Sequence, residues 1–404
     1  MRTRLVLAGV AILLGWSESG AQQRTISDAE VMRVHRGTLL IDTHNDVTSR
    51  TVEGFDIGSR TGTGHTDIAR LKEGGVGAQF FAVYVAASYV NGNRSANRTL
   101  QMIDTVRHDI LGRYPNDFMF AASAKDIEEA HRRGKIAALM GIEGGHAIEN
   151  SVRVLRDYYD LGVRYMTLTH SNTNDWADSS GDINDPRVKH HNGLTQLGKE
   201  IIREMNRLGM MVDISHVADK TFWDALETSR APIFASHSSC RALTNHLRNM
   251  TDEMIVALAK KGGVVQVNFY CGFVSQKFRD HDAADTRALD ARMARETEGK
   301  PLSEADRQIL SEKLRKEMNL TRATLADVVA HIDHIRRIAG IDAIGLGGDF
   351  DGVSCTPVGL DDVSKYPNLT RALLEKGYSA EDIRKIYGGN FLRVMRAVEA
   401  AAGK

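Results

Sequence analysis

The stretch LLIDTHNDV, Leu39 to Val47, is an apolar run that stops on a histidine and an aspartate two positions apart. A run that is apolar on both alternating faces reads as a strand buried on both sides, the mark of a parallel sheet covered by helices. Side chains two apart on a strand share a face, so His44 and Asp46 point the same way where the strand ends.

The pattern recurs along the chain. Strands are expected at 39–46, 77–84, 136–143, 164–170, 211–216, 233–237, 264–270 and 343–349. Between them lie segments with apolar residues three and four apart, such as SVRVLRDYYDLG from Ser151 and LTQLGKEIIREMNRLG from Leu194, each closing on glycine as helices do. Eight alternating units predict an α/β fold, a single-domain (β/α)₈ TIM barrel spanning residues 22–404, with an open doubly wound sheet as the alternative. Two insertions interrupt the alternation, 48–67 and the strongly charged 272–320. Each reads either as a wall over the site or as a solvated decoration or oligomer contact.

The opening MRTRLVLAGVAILLGWSESGAQQR has two arginines, an apolar run from Leu5 to Leu14, then small residues. It reads as a signal peptide, residues 1–21, cut after Ala21, and predicts an exported protein, periplasmic or secreted. The run is too short to span a bilayer and the C-terminus has no apolar tail, so no stable membrane anchor is expected. Lysine plus arginine equals aspartate plus glutamate at 52 each, which leaves no summed field to draw in nucleic acid. The three cysteines, Cys240, Cys271 and Cys355, are too scattered for a disulfide framework and read as buried or idle thiols; an odd number in an exported chain leaves at least one unpaired, with a bridge between the other two open.

In a barrel the chemistry gathers at the carboxyl ends of the strands. Those ends carry His44, Asp46, Glu143, His170, His216, His237 and Asp349. Each alone reads as a rim residue or helix cap, but three carboxylates and four histidines together need a compensating cation. His44 and Asp46 would hold one ion, His216 and His237 another, with Glu143 bridging. Imidazole and carboxylate without cysteine suit Zn²⁺ and leave other divalent metals open. Two such ions, roughly 3.5–4 Å apart, would share a water and polarise a substrate carbonyl.

IDTHNDV, GIEGGHAI, YMTLTHSNTNDWAD, DISHV, ASHSSCRAL with RN following, NFY and GLGGDFDGV, in this order from Val34 to Leu392, resemble the membrane (renal) dipeptidase family of the amidohydrolase superfamily. The resemblance implies a barrel, two zinc ions and hydrolysis of dipeptides by a metal-bridging hydroxide, with tolerance of a C-terminal D-residue. It places His44, Asp46, Glu143, His216 and His237 at the metals. It gives His170 the scissile carbonyl, Arg248 the substrate carboxylate, Asp349 the acid/base role and Tyr270 a place in the pocket wall. Asp349 closes its strand whereas its neighbour Asp351 starts a loop, which favours Asp349 for the role. By position alone Arg248 reads as a surface arginine at a helix start. A homodimer is also implied.

Animal members carry disulfides and a C-terminal lipid signal that this chain is expected to lack, and the charged segment 279–315 matches no motif of the family. The rival enzymes are other binuclear amidohydrolases: a lactonase or phosphotriesterase, whose metals a carboxylated lysine commonly bridges from the fourth strand, or a β-lactam hydrolase. Here the fourth strand ends on His170 without a lysine. An exported binding protein is the non-enzyme rival, and it would want a saturated metal site.

Overall fold

The computed structural model describes residues 26–403, so the expected signal peptide lies outside the described residues. Among the described residues nine parallel strands form one sheet: β1 (Leu40–Asn45), β2 (Val76–Tyr84), β3 (Phe118–Phe120), β4 (Ile136–Glu143), β5 (Val163–Thr167), β6 (Met211–Asp213), β7 (Phe234–Ser238), β8 (Val264–Val267) and β9 (Ile344–Leu346). Eight follow the order β1-β2-β4-β5-β6-β7-β8-β9, while β3 pairs with β4 off this path. The seam between the first and last strands closes through Asp349 N–H to the His44 carbonyl (3.1 Å) and Asp46 N–H to the Phe350 carbonyl (2.8 Å). Asp42 reinforces it by accepting from Gly348 N–H and the Tyr366 hydroxyl, at 2.9 and 2.8 Å. The result is the expected barrel rather than an open sheet.

The expected helices form where their caps place them. Ser151 caps Val152–Asp160, and Thr195 caps Gln196–Leu208, which ends on Gly209 at φ +83°. That left-handed residue is the usual helix stop. Helix Asn390–Ala401 sends Phe391 against Phe80 (5.3 Å between ring centroids) and Phe234 (5.9 Å), filling the barrel opposite its carboxyl end.

Three expectations are corrected. Several strands stop earlier than read: His170, His216, Tyr270 and Asp349 lie three residues beyond the last paired residues Thr167, Asp213, Val267 and Leu346. His216 and Asp349 take left-handed backbones, φ +68° and +59°, which turn the chain out of the ladder and across the barrel mouth. β3 was not expected, being three residues long and partly exposed. Cys271 and Cys355 form a disulfide (Cα–Cα 5.6 Å), leaving Cys240 free and buried, so the chain does have one cross-link.

Candidate metal centre

At the end of β1, His44 Nε2 lies 3.2 Å from Asp46 Oδ2 and 3.4 Å from Glu143 Oε2 at the end of β4. Glu143 Oε1 points the other way, 2.9 Å from His216 Nε2 and 3.2 Å from His237 Nε2. One carboxylate therefore addresses two separate sets of ligand atoms. The atoms of His44, Asp46 and Glu143 lie within 4.8 Å of one another, as do those of Glu143, His170 and His216, and those of His44, His237 and Asp349. All seven rim residues expected from the sequence meet here.

The far side of each ring fixes its tautomer. The Tyr165 hydroxyl donates to the Thr43 carbonyl (3.0 Å), so it accepts from His44 Nδ1 (2.9 Å). Ser236 Oγ donates to Asp213 Oδ2 (2.6 Å), so it accepts from His237 Nδ1 (2.7 Å). When the His44 and His237 rings are neutral, each Nε2 is thus a lone pair aimed at the centre, the state in which imidazole binds metals.

Lone pairs and carboxylates facing each other without a proton repel. His44 Nε2 and Asp46 Oδ2 are buried with no hydrogen-bond partner among the described residues, and each such orphan costs about 1–3 kcal/mol. The electrostatics ask for a cation. Burial disfavours charge on His44, yet Tyr165, Glu143 and Asp46 outweigh it and pull its pKa well above the ordinary value. Burial also opposes ionisation of Glu143, but His44 and His170 override it and hold it well below the usual carboxylate range. Burial, aided by Arg248, keeps His216 and His237 well below theirs, hence neutral and ready to ligate. These donors fit a divalent metal.

Two glycines make room for this geometry. A Cβ on Gly352 would sit 2.3 Å from Asp46 Oδ2 and 2.5 Å from Asp349 Oδ1. One on Gly141 would strike the Tyr165 ring at 1.9 Å and block its reach to His44.

At this cluster opens a cavity of about 460 Å³, walled by Tyr84, His170, Tyr270, Phe273, Glu304 and Gln308 among others. Glu304 and Gln308 come from the second insertion, and Ser49 and Glu53 of the first also face the cavity, so both insertions are walls. Burial, with Asp46 and Glu143 adding, pushes Asp349 up to about 8, and Asn268 Nδ2 donates to its Oδ2 at 2.8 Å. Asp351 Oδ1 is instead taken by His65 N–H at 2.9 Å, so Asp349 is the one that joins the ligand cluster. Arg248 is buried rather than a surface residue. Its Nη1 donates to Ser238 Oγ and its Nη2 to the His237 carbonyl, both at 2.6 Å, while Nε has no partner among the described residues.

The supporting residues Tyr165, Ser236, Asp213 and Asn268 escape the sequence reading. The one available signal is Asp213, a charge inside the buried strand MVD. Tyr165→Phe is expected to weaken metal affinity by about 10- to 100-fold, the usual cost of losing such a partner. Competition with a chelator measures it; unchanged affinity would reduce Tyr165 to packing.

A family model described as membrane dipeptidase (peptidase family M19) matches residues 28–404. The chain belongs to the membrane dipeptidase family. It is similar to the solved structure of the probable dipeptidase PvdM from Pseudomonas aeruginosa, at 26% identity over 93% of this chain and 99% of that one, TM-score 0.78. It is also similar to a metallo peptidase from Rhodobacter sphaeroides liganded with a phosphinate mimic of the dipeptide L-Ala-D-Ala, at 25% identity over 89% and 99%, TM-score 0.71. A third similar structure is a metallo peptidase named dipeptidase AC, at 25% identity over 91% and 99%, TM-score 0.71. As a member of the membrane dipeptidase family, the chain is a metallo-dipeptidase, and its His/Glu clusters are candidate metal-binding groups consistent with that activity.

Proposed function

We propose that this metallo-dipeptidase uses two zinc ions, one held by His44 and Asp46, the other by His216 and His237, with Glu143 bridging. The observation that carries this reading is the opposed aim of the Glu143 oxygens, one toward His44 and the other toward His216 and His237. Bound there, the cations would lower the pKa of a water between them and polarise the scissile carbonyl. Asp349 takes a proton from the attacking water and returns it to the leaving amine, a task suited to a carboxyl whose pKa lies near the working pH. His170, with its Nε2 4.0 Å from Glu143 Oε1, donates to the carbonyl oxygen as charge develops on it. Arg248 keeps its charge, burial lowering its pKa only to about 10, and with Tyr270 holds the substrate's C-terminal carboxylate.

The substrates proposed are dipeptides, with a D-residue accepted at the C-terminal position, in keeping with the L-Ala-D-Ala mimic bound to the Rhodobacter sphaeroides protein. The enzyme is proposed to act as an exported homodimer after loss of residues 1–21. The Cys271–Cys355 disulfide suits an oxidising compartment. No helix among the described residues is long and apolar enough to cross a membrane.

Metal analysis paired with turnover of L,L and L,D dipeptides, a lactone and a phosphotriester, before and after chelation, tests this reading. Near two equivalents of zinc, dipeptide turnover lost on chelation and its return on adding zinc are expected. Fully active protein without bound metal, or hydrolysis of only the lactone or phosphotriester, would overturn it.

A further inference from the structure

The second insertion does more than wall the cavity. Its helix Glu304–Glu317 reaches the turn that carries Asp349 once directly and once through His65. Gln308 Nε2 donates to the Gly352 carbonyl at 3.0 Å. Four residues on, Glu312 is buried and paired through Oε2 with His65 Nε2.

His65 grips Asp351 twice: its backbone N–H donates to Asp351 Oδ1 (2.9 Å), and its Nδ1 lies 2.8 Å from the Asp351 backbone nitrogen. A backbone N–H only donates, so Nδ1 accepts and the ring proton sits on Nε2, aimed at Glu312. The other Glu312 oxygen accepts from Thr356 Oγ1 (2.7 Å) and Lys316 Nζ (2.8 Å).

The turn needs such support. Asp349 and Asp351 both hold positive φ, +59° and +63°, which side-chain-bearing residues adopt only when their surroundings enforce it. Within the turn, Gly352 N–H bonds the Asp349 carbonyl at 3.2 Å.

We propose that His65 and Glu312 are a positioning pair, through which the inserted helix holds the Asp349 turn in its reactive geometry. Neither residue is among those that wall the cavity, whereas Asp349, Asp351 and Gly352 of the turn are, so both act through that turn. The proposal rests on the reading of Asp349 as the proton carrier.

The test uses the full-length, metal-loaded enzyme. Glu312→Ala is expected to lower kcat by about 10- to 100-fold, the scale of a small misplacement of a catalytic group, with metal content and KM unchanged. Glu312→Gln, which keeps an acceptor for the His65 N–H, should recover most of that loss. In an Asp349→Asn background, Glu312→Ala should cost nothing further. If Asp349→Asn by itself leaves kcat intact, the reading of Asp349 fails. If it slows the enzyme but Glu312→Ala multiplies the loss, the positioning role fails while that reading stands. Should the alanine variant not fold, Glu312→Asp withdraws the carboxylate by one methylene and must show the same kcat-only loss; an unchanged kcat overturns the proposal.

Discussion

Replacing Asp349 with asparagine is expected to lower kcat by roughly 10²–10⁴-fold, the range that positioned acid–base groups supply, with bound metal unchanged. Asparagine keeps the shape of the side chain and can still accept from Asn268 Nδ2, which now bonds Asp349 Oδ2 at 2.8 Å. What it loses is the ability to carry a proton. The competing role is visible in the geometry, because Asp349 also lies within ligand distance of His44 and His237. Metal stoichiometry measured on the variant separates the two. A slow enzyme with its full metal complement supports proton transfer, whereas a slow enzyme stripped of metal makes Asp349 a ligand.

Glu143→Gln should be more damaging still. An amide offers one ligating oxygen in place of two, and its NH₂ cannot bind a cation, so it can serve the proposed ion beside His44 or the one beside His216 and His237, not both. It also removes the negative charge that the surrounding histidines stabilise. Loss of at least one metal equivalent and of dipeptide turnover is expected, well beyond the roughly 10- to 100-fold cost of removing a supporting hydrogen bond. Stoichiometric metal analysis and assays with excess zinc check this; a Glu143→Gln variant that stays fully loaded and active would remove the bridging role.

The candidate metal residues were legible because a barrel turns a one-dimensional pattern into a place. Apolar runs that end on His44, Asp46, Glu143 and His237 need only the rule that strand ends converge. His216 and Asp349 were found by the same rule although they stand beyond the paired strands, since their left-handed backbones turn them back over the mouth. Interior partners were illegible for the opposite reason. Tyr165 reaches His44 only because Gly141 has no side chain in its path, a three-dimensional fact with no linear trace. His65 and Glu312 are separated by 247 residues and His65 and Asp351 by 286, and no local periodicity reports such contacts. Arg248 looked superficial because its position reads as a helix start, whereas its guanidinium bonds Ser238 and His237 at the end of β7. The pairing of Cys271 with Cys355, 84 positions apart, was hidden in the same way.

That cross-link joins Cys271, next to the cavity-facing Tyr270, to Cys355, next to the cavity-facing Ser354. It spot-welds two cavity-facing segments while including none of the proposed metal ligands. A preparation folded where thiols stay reduced is expected to keep the proposed metal site beneath a slackened doorway. Batches of one gene product made in different compartments should therefore diverge in how sharply they choose among dipeptides before they diverge in whether they cleave them at all.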